Sequence, residues 1–431
     1  MVDQATLYDH PAFAPPVAPA DLAALAAERG WPAELLDRAV RLRVDRRSIE
    51  GWLRDGWPPP DAVAKFLDGE ERLVYGTLRV REATWADHDL LADLFANAPE
   101  DVGDWRVTVE RGPNPFAQFR LQEHANVQVL EDRRVGLGAV AHSARNTFIA
   151  GQQTSVHVMS AWRVREGFRG QGYARLLQMN AAGPGTSWFG LVTYWYVRTG
   201  NASRGWIQHI KDDMEARPEG WSARTQGLTA TVHHLRALDR GRPGPRVRPA
   251  TVEDLERCVE LINRTHDGLD LFRPYTVEFL RQRLDDPSWG PKPPFWARVY
   301  DWSDFRVVDD GGRVVACGGL WDRGEHIRER WHHPVTGETQ LVDATGLMDF
   351  GVEDGHGDAL VELIGHFASR TQELGRSTMM VPLEHLPEVL RACATFSPAP
   401  ETRALEVVPF TSPVLTVEAP ITRPHTDLAY W

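Results

Sequence analysis

One pattern in this 431-residue chain occurs twice. Arg79-Val80-Arg81, Ala83-Thr84 and Asp87 reappear as Arg246-Val247-Arg248, Ala250-Thr251 and Asp254. In each copy a short strand leads to a threonine placed as a helix N-cap, and the aspartate three residues on serves as the acid of a capping box. Leu91, Leu94 and Phe95 then correspond to Cys258, Leu261 and Ile262 as an apolar helix face. Farther along, Val127–Ala141 and Phe305–Leu320 both read as hairpins, two apolar strands around a charged or glycine turn. Gly170, Gly172 and Ala174 find an echo in Gly355, Gly357 and Ala359, each ahead of an apolar helical run. The same order of elements, used twice, predicts two similar α/β domains.

The chain is too long for one ordinary core, which agrees with that division. Arg236–Arg248 carries Gly241, Pro243, Gly244 and Pro245, a composition that punctuates structure, so the domains are expected at 78–240 and 246–412. Residues 1–77 read as a small helical segment. Residues 413–431, with Pro413, Pro420 and Pro424, read as an extended tail that lies on a domain or crosses to a partner. Hydrophobic residues at 42% and charged residues at 25% indicate a globular body. A formal net charge of -12 excludes a broad nucleic-acid surface and leaves room only for a focal anion site. No apolar run approaches a membrane span and the first residues do not read as a signal peptide, so a cytoplasmic protein without a membrane partner is expected. The three cysteines, Cys258, Cys317 and Cys393, lack metal or disulfide spacing. Trp331-His332-His333 has no HExxH pattern beside it and reads as a polar loop; no metal is expected.

The chemistry concentrates in Glu166–Leu177, EGFRGQGYARLL. A valine-rich strand over Ser155–Val164 runs into this turn, and a helix follows with Tyr173, Leu176, Leu177 and Ala181 on one face. Glycines where strand becomes helix leave backbone N–H groups uncovered at the positive end of the helix dipole, a ready anion site, and Arg169 adds a permanent charge. The anion is expected to be a phosphate. A dinucleotide fingerprint fails because its third glycine position is Arg175, and the Gly-Lys-Ser/Thr of a P-loop is absent. What remains is Arg169-x-x-Gly172-x-Ala174.

These residues, with the strand ahead of them, resemble motif A of the GNAT (Gcn5-related) N-acetyltransferases, whose pattern is a strand followed by Q/RxxGxG/A and a helix. The resemblance spans Leu78–Leu235 and, through the repeat, Arg246 to about Val408. It implies an α/β (α+β) fold of two tandem GNAT-like domains, each a mixed, mostly antiparallel sheet flanked by helices. It implies acetyl-CoA or another acyl-CoA as donor, with the pyrophosphate held by backbone N–H groups of Arg169, Gly170, Gln171, Gly172, Tyr173 and Ala174. The strand before the motif is then expected to splay from its neighbour, Trp188–Val197, with pantetheine bonded to backbone near Trp162 and Val164 and one N–H polarising the thioester carbonyl. Asn201 matches an asparagine that often contacts the cofactor in this family.

The family often places a tyrosine on the helix after that asparagine, to serve as acid. Here the helix, ASRGWIQHIKDDM, has none. Tyr194, Tyr196 and His209 are the substitutes, and His157 is a candidate base or a core residue. In the second copy Asp354 stands at the arginine position and would repel an anionic cofactor, so that domain is expected to keep the fold and lose acyl-CoA. Asp101–Phe119 is where the family usually builds acceptor specificity, and a small-molecule amine is the expected acceptor; a homo-oligomer is compatible with the sequence. Two other readings stand beside this one. Arg38, Arg41, Arg43, Arg46, Arg47 and Arg54, with a helix starting at Ser48, can be read as a DNA-binding module regulated by acyl-CoA, although the acidic whole disfavours nucleic acid. The chain can also be read as a noncatalytic tandem scaffold.

Overall fold

The computed structural model describes residues 19–41, 78–122, 125–132, 135–149, 151–169, 192–198, 228–236, 244–285, 299–395, 401–410 and 424–426, with isolated positions at 49, 53, 60, 64, 173, 174, 177 and 428. Helices α1 (Pro19–Glu28) and α2 (Ala33–Arg41) open the described chain, with Trp31 buried between them in sequence. Of the N-terminal arginines, Arg43, Arg46, Arg47 and Arg54 lie outside the described residues.

The repeated sequence has a physical explanation at the corner where strand becomes helix. In the first copy β1 (Leu78–Glu82) leads to α3 (His88–Ala96), and in the second β9 (Val247–Pro249) leads to α4 (Leu255–Thr265). Asp87 Oδ2 accepts from the Thr84 amide at 2.7 Å, and Asp254 Oδ2 from the Thr251 amide at 2.8 Å. A two-pronged guanidinium grips each aspartate: Arg81 reaches Asp87 at 2.7 and 2.6 Å, and Arg248 reaches Asp254 at 2.7 and 2.9 Å. Each arginine then bonds a carboxylate on the following hairpin, Glu131 at 2.7 Å and Asp309 at 3.1 Å. One repeated Arg–Thr–Asp pattern thus ties strand, helix start and hairpin together. Beyond the corner Leu91, Leu94 and Phe95 of α3 are buried, as are Cys258, Leu261 and Ile262 of α4.

The two hairpins form as read: β4 (Asn126–Asp132) with β5 (Val135–Ile149), and β10 (Phe305–Asp310) with β11 (Arg313–Trp321). Five further strands complete the first copy and its counterpart: β6 (Gln152–Val164), β7 (Val192–Arg198) and β8 (Leu228–Arg236), then β14 (Ala344–Val352) and β15 (Thr378–Val381). The last strand is β16 (Glu401–Phe410). All lie in one twelve-stranded sheet of order β1-β4-β5-β6-β7-β16-β8-β15-β14-β11-β10-β9. Read from either end the order is the same when corresponding strands of the two copies are exchanged. At its centre the final strands have crossed over. β16, from the second copy, pairs with β7 of the first, while β8, from the first, pairs with β15 of the second. β8 and β16 pair antiparallel with each other, from Leu228↔Val407 to His234↔Glu401.

The copies also share a smaller sheet. β2 (Glu100–Val102) and β3 (Trp105–Arg111) lie largely within the segment where acceptor specificity was expected, and β3 pairs antiparallel with β12 (Ile327–His332), which pairs with β13 (Thr339–Val342). The β5–β6 hairpin touches the second copy through backbone: Leu271 N donates to Phe148 O at 2.6 Å and Phe148 N to Phe272 O at 3.0 Å. One apolar cluster accordingly runs through both copies, taking in Val156 and Val158 of β6 with Leu255 and Leu261 of α4 and Trp321 of β11.

The Arg248–Asp254 corner yields a stability test. Arg248 holds the Asp254 carboxyl below the usual carboxylate range against the opposing effect of burial. A depressed carboxylate contributes above its unfolded pKa, and the contribution is lost as pH falls through the folded value. Asp254→Asn is therefore expected to lower the unfolding free energy by about 1–2 kcal/mol at neutral pH and by less in acid. Urea unfolding reads both, and an equal loss at both pH values would contradict the assignment.

Candidate functional site

The sheet opens at one place in each copy. β6 and β7 run parallel and pair from Val156↔Val192 to Met159↔Trp195, but β6 continues to Val164. β14 and β15 pair in parallel from Ala344↔Thr378 to Gly346↔Met380, and β14 continues to Val352. Just past each parting lies a bulge. β5 pairs Ala139 with Arg163 and then Ala141 with Ser160, leaving Ala161 at φ 50. β11 pairs Cys317 with Gly351 and then Gly319 with Met348, leaving Asp349 at φ 48. A left-handed conformation at a residue that is not glycine costs roughly 1–3 kcal/mol and collects at functional sites; a bulge also redirects peptide groups out of the ladder. Two copies holding the same strained bulge at the mouth of the same opening mark it as the site.

In the first copy the end of β6 leads straight into Glu166–Arg169, the start of the segment expected to hold an anion. Arg165 N donates to Leu137 O at 2.8 Å, and a short 3₁₀ turn, Glu166–Phe168, follows. Arg169 is exposed, its Nε bonding Val164 O at 3.2 Å and its Nη2 bonding Pro99 O. Arg163 bonds the Trp162 carbonyl at 2.7 Å and pairs with Glu100. Trp162 and Val164 are half-buried. Tyr173 and Leu177 are buried, Ala174 half-buried, and all three are helical. Gly138 on β5 makes room for this helix, since a Cβ there would stand 2.8 Å from Leu177 Cδ1. Gly170, Gln171 and Gly172, the middle of the Arg169–Ala174 motif, lie outside the described residues, as do Asn201 and His209.

The structure thus gathers Trp162, Val164, Arg169, Tyr173 and Ala174 at one corner. Tyr194 lies opposite Val158 within the paired part of β7, whereas Tyr196 is the first residue beyond the last pairing, at the opening. His157 belongs elsewhere. It sits inside the paired stretch, buried, its Nε2 3.0 Å from His142 Nδ1, one ring donating to the other. Burial pushes its imidazole down to about 4, and burial together with His157 pushes His142 well below its ordinary value. Buried and neutral against His142 among the described residues, His157 fits its core reading better than its base reading.

Sequence spacing missed the wall facing this corner. Besides Pro99 and Glu100, Arg106 of β3 pairs with Glu166 of the turn, and Arg165 reaches Asp93 of α3 at 2.6 Å. These partners are far apart in the chain and on no common periodicity, so only their unusual charge density was available as a signal. Trp331 and His332 were expected in a polar loop but end β12, paired on both sides, and only His333 braces the turn beyond: its Nδ1 accepts from the Val335 and Thr336 amides at 3.3 and 3.2 Å, and Trp105 meets its ring edge-on at 5.3 Å.

The second corner differs. From the strand-end valine to the first glycine, Val352 to Gly355 is three residues shorter than Val164 to Gly170, so Glu353 and Asp354 fill a tighter turn with no arginine. Helix α5 (Val277–Asp285) and helix α6 (Gly357–Glu373) flank this copy. Arg283 of α5 reaches the bulge, pairing with Asp349 at 2.9 Å, and Tyr275 Oη donates to the same carboxylate at 2.6 Å.

Two units with a parallel pair that parts at a bulge, joined in one chain, make the tandem GNAT fold. Saccharomyces cerevisiae N-myristoyltransferase, solved with bound myristoyl-CoA, superposes with a TM-score of 0.54 at 10% sequence identity, over 78% of this chain and 83% of that one. A GCN5-related glucosamine N-acetyltransferase region of a fungal multi-domain GH3 beta-N-acetylglucosaminidase matches at 13% identity and TM-score 0.47, over 78% and 38%. The first likeness is one of fold, and the second is too distant to argue from. No protein-family model matches the chain, and no curated protein sequence does. No helix among the described residues is long and apolar enough to cross a membrane.

The histidine pair supplies the second test. The folded imidazoles hold protons less tightly than the unfolded ones, so their contribution is complete above the unfolded pKa near 6.5 and is lost as pH falls toward the folded value. The His157 share is about 3 kcal/mol. Unfolding free energies followed between about pH 7 and pH 4 should decline less steeply in His157→Leu than in the native chain. Parallel curves would contradict the buried neutral pair.

Proposed function

We propose that the first copy is an N-acyltransferase that moves the acyl group of an acyl-CoA, by default acetyl-CoA, to the amine of a small metabolite. The observation that carries this is the coincidence at one strand end of three features: an edge freed from β7, a left-handed bulge at Ala161, and the Arg169-x-x-Gly172-x-Ala174 sequence, in which Tyr173 and Ala174 are helical. Each answers a need of the donor. The turn offers backbone N–H groups and a guanidinium to a diphosphate. The free edge of β6 offers ladder-type bonds to the amides of pantetheine, and the redirected peptide at the bulge offers a donor to the oxyanion.

Arg169 and Arg163 bond backbone carbonyls at this edge, so an arriving donor exchanges partners with groups already aimed at it. In the reaction the amine nitrogen bonds the thioester carbon, the tetrahedral adduct collapses with loss of the C–S bond, and the thiolate takes a proton. An alkyl ammonium has a pKa near 10 and must first give up its own. Tyr196, first on β7 past the parting, is the residue we assign to protonating the thiolate. Myristoyl-CoA is the ligand of the yeast neighbour, which makes donor chain length a variable to assay. A chain acting in this way works in the cytoplasm, where acyl-CoA is available.

Two experiments bear on the reading. Arg169→Asp or Gly172→Glu should weaken acetyl-CoA binding by roughly a hundredfold in calorimetry with the thermal unfolding unchanged, since each puts a carboxylate beside the diphosphate. Unaltered affinity would remove the site. Tyr196→Phe should lower kcat for thiol release by roughly a hundredfold or more while acyl-CoA affinity stays the same. An unchanged kcat would withdraw the tyrosine, and no thiol release across a panel of amines would favour the scaffold reading.

A further inference from the structure

In the second copy the opening has a different occupant. Beyond Gly346, where β14 leaves β15, a small pocket lies against Leu347, Met348 and Phe350. Its opposite wall is the chain's own C-terminal segment: His425, Thr426 and Leu428. The segment is seated rather than draped. Pro424 bridges Asp270 in parallel, and His425 N donates to Asp270 O at 2.7 Å. Leu428 is 1% exposed, and its Cδ1 lies 2.8 Å from where a Cβ on Gly346 would stand, so the bare glycine is part of the seat. The tail therefore enters at the position where, in the first copy, the freed strand edge serves the donor.

The seat is lined with groups that respond to charge. The His425 ring lies 4.7 Å from His266 of the α4 end and 5.2 Å from Phe272, both edge-on. His266 stacks on Phe272 at 5.0 Å and lies 5.0 Å from His385, beyond β15. From β5, Arg145 bonds the Leu271 carbonyl at 3.1 Å. The carboxylates at the seat are Asp349, held by Arg283 and Tyr275, and Asp270, buried beneath the tail backbone. A cation arriving on His425 thus meets one guanidinium and two further imidazoles, and of the two carboxylates Asp349 is already paired with Arg283.

We propose that the groove of the second copy is a docking site for Pro424, His425, Thr426 and Leu428 of the same chain, and that His425 makes the docking pH-dependent, seated while its imidazole is neutral and released when it takes a proton. Burial, followed by His266, Arg145 and His385, pushes the docked imidazole well below its ordinary value. The docked state therefore binds fewer protons than the free one: docking is complete above the free value near 6.5 and weakens as pH falls through it. The device stands whether or not the first copy transfers acyl groups. It also gives the second copy a tethered ligand where its short acidic turn offers nothing to a diphosphate.

Amide hydrogen exchange on the full chain tests this. With exchange corrected for its intrinsic pH dependence, protection of the His425 amide should fall about thirtyfold between about pH 7.5 and pH 5, the factor by which free neutral imidazole is depleted. His425→Phe keeps a ring against Phe272 without a proton to gain, and its tail amides should be equally protected at both values. The α6 amides in the same samples should stay protected throughout. Equal protection of the native tail at both pH values would overturn the proposal, and so would a pH-dependent loss in His425→Phe. An unprotected tail in His425→Phe at neutral pH, or loss of α6 together with the tail, would overturn it equally.

Discussion

Each half of this molecule is completed by a strand from the other. Without β16, the edge of β7 would leave a row of peptide groups unpaired in the middle of the sheet, and without β8 the same would hold for β15. The exchange therefore makes the two copies one cooperative body, with β8 and β16 zipped together along the centre. It also fixes the geometry of function. β7 is held on its far side by β16, so β6 and β7 can part without either losing its place, and an opening that would be a defect in an isolated sheet becomes a durable groove.

The two grooves have diverged from one plan. Both have a parallel pair that separates and a left-handed bulge. In the first, alanine occupies the bulge and an arginine guards the turn. In the second, the bulge carries Asp349, tied to Arg283 and Tyr275, the turn has lost three residues and gained Glu353 and Asp354, and the tail lies across the opening. Changes of opposite electrostatic sense at matched positions are what a division of labour between duplicated halves would leave behind.

Much of this was legible in the sequence because it is written locally. The Arg–Thr–Asp corner shows as a repeated spacing, since all its members fall within a few residues, and the hairpins show as alternating apolar runs around turns. The strand into the Arg169 turn was readable for the same reason. The crossing of β8 and β16 was not, because pairing partners hundreds of residues apart leave no periodicity in one sequence. The wall formed by Glu100, Arg106 and Asp93 was hidden likewise. His157 shows a further limit: its place on the strand suggested the cleft, but only the neighbouring His142 ring reveals that it faces the core. The strands within residues 101–119 were not legible either, because their partner, β12, comes from the other copy.

The central claim is that a diphosphate-bearing thioester enters between β6 and β7 of the first copy and not between β14 and β15 of the second. The most direct measurement is a crystal structure of the chain with a non-hydrolysable acyl-CoA analogue. The account predicts one analogue per chain, its diphosphate at the Arg169–Ala174 turn and its carbonyl beside Ala161, with Leu428 still seated at Gly346. An analogue bound at the second opening with the tail displaced, or no density at the first, would contradict it.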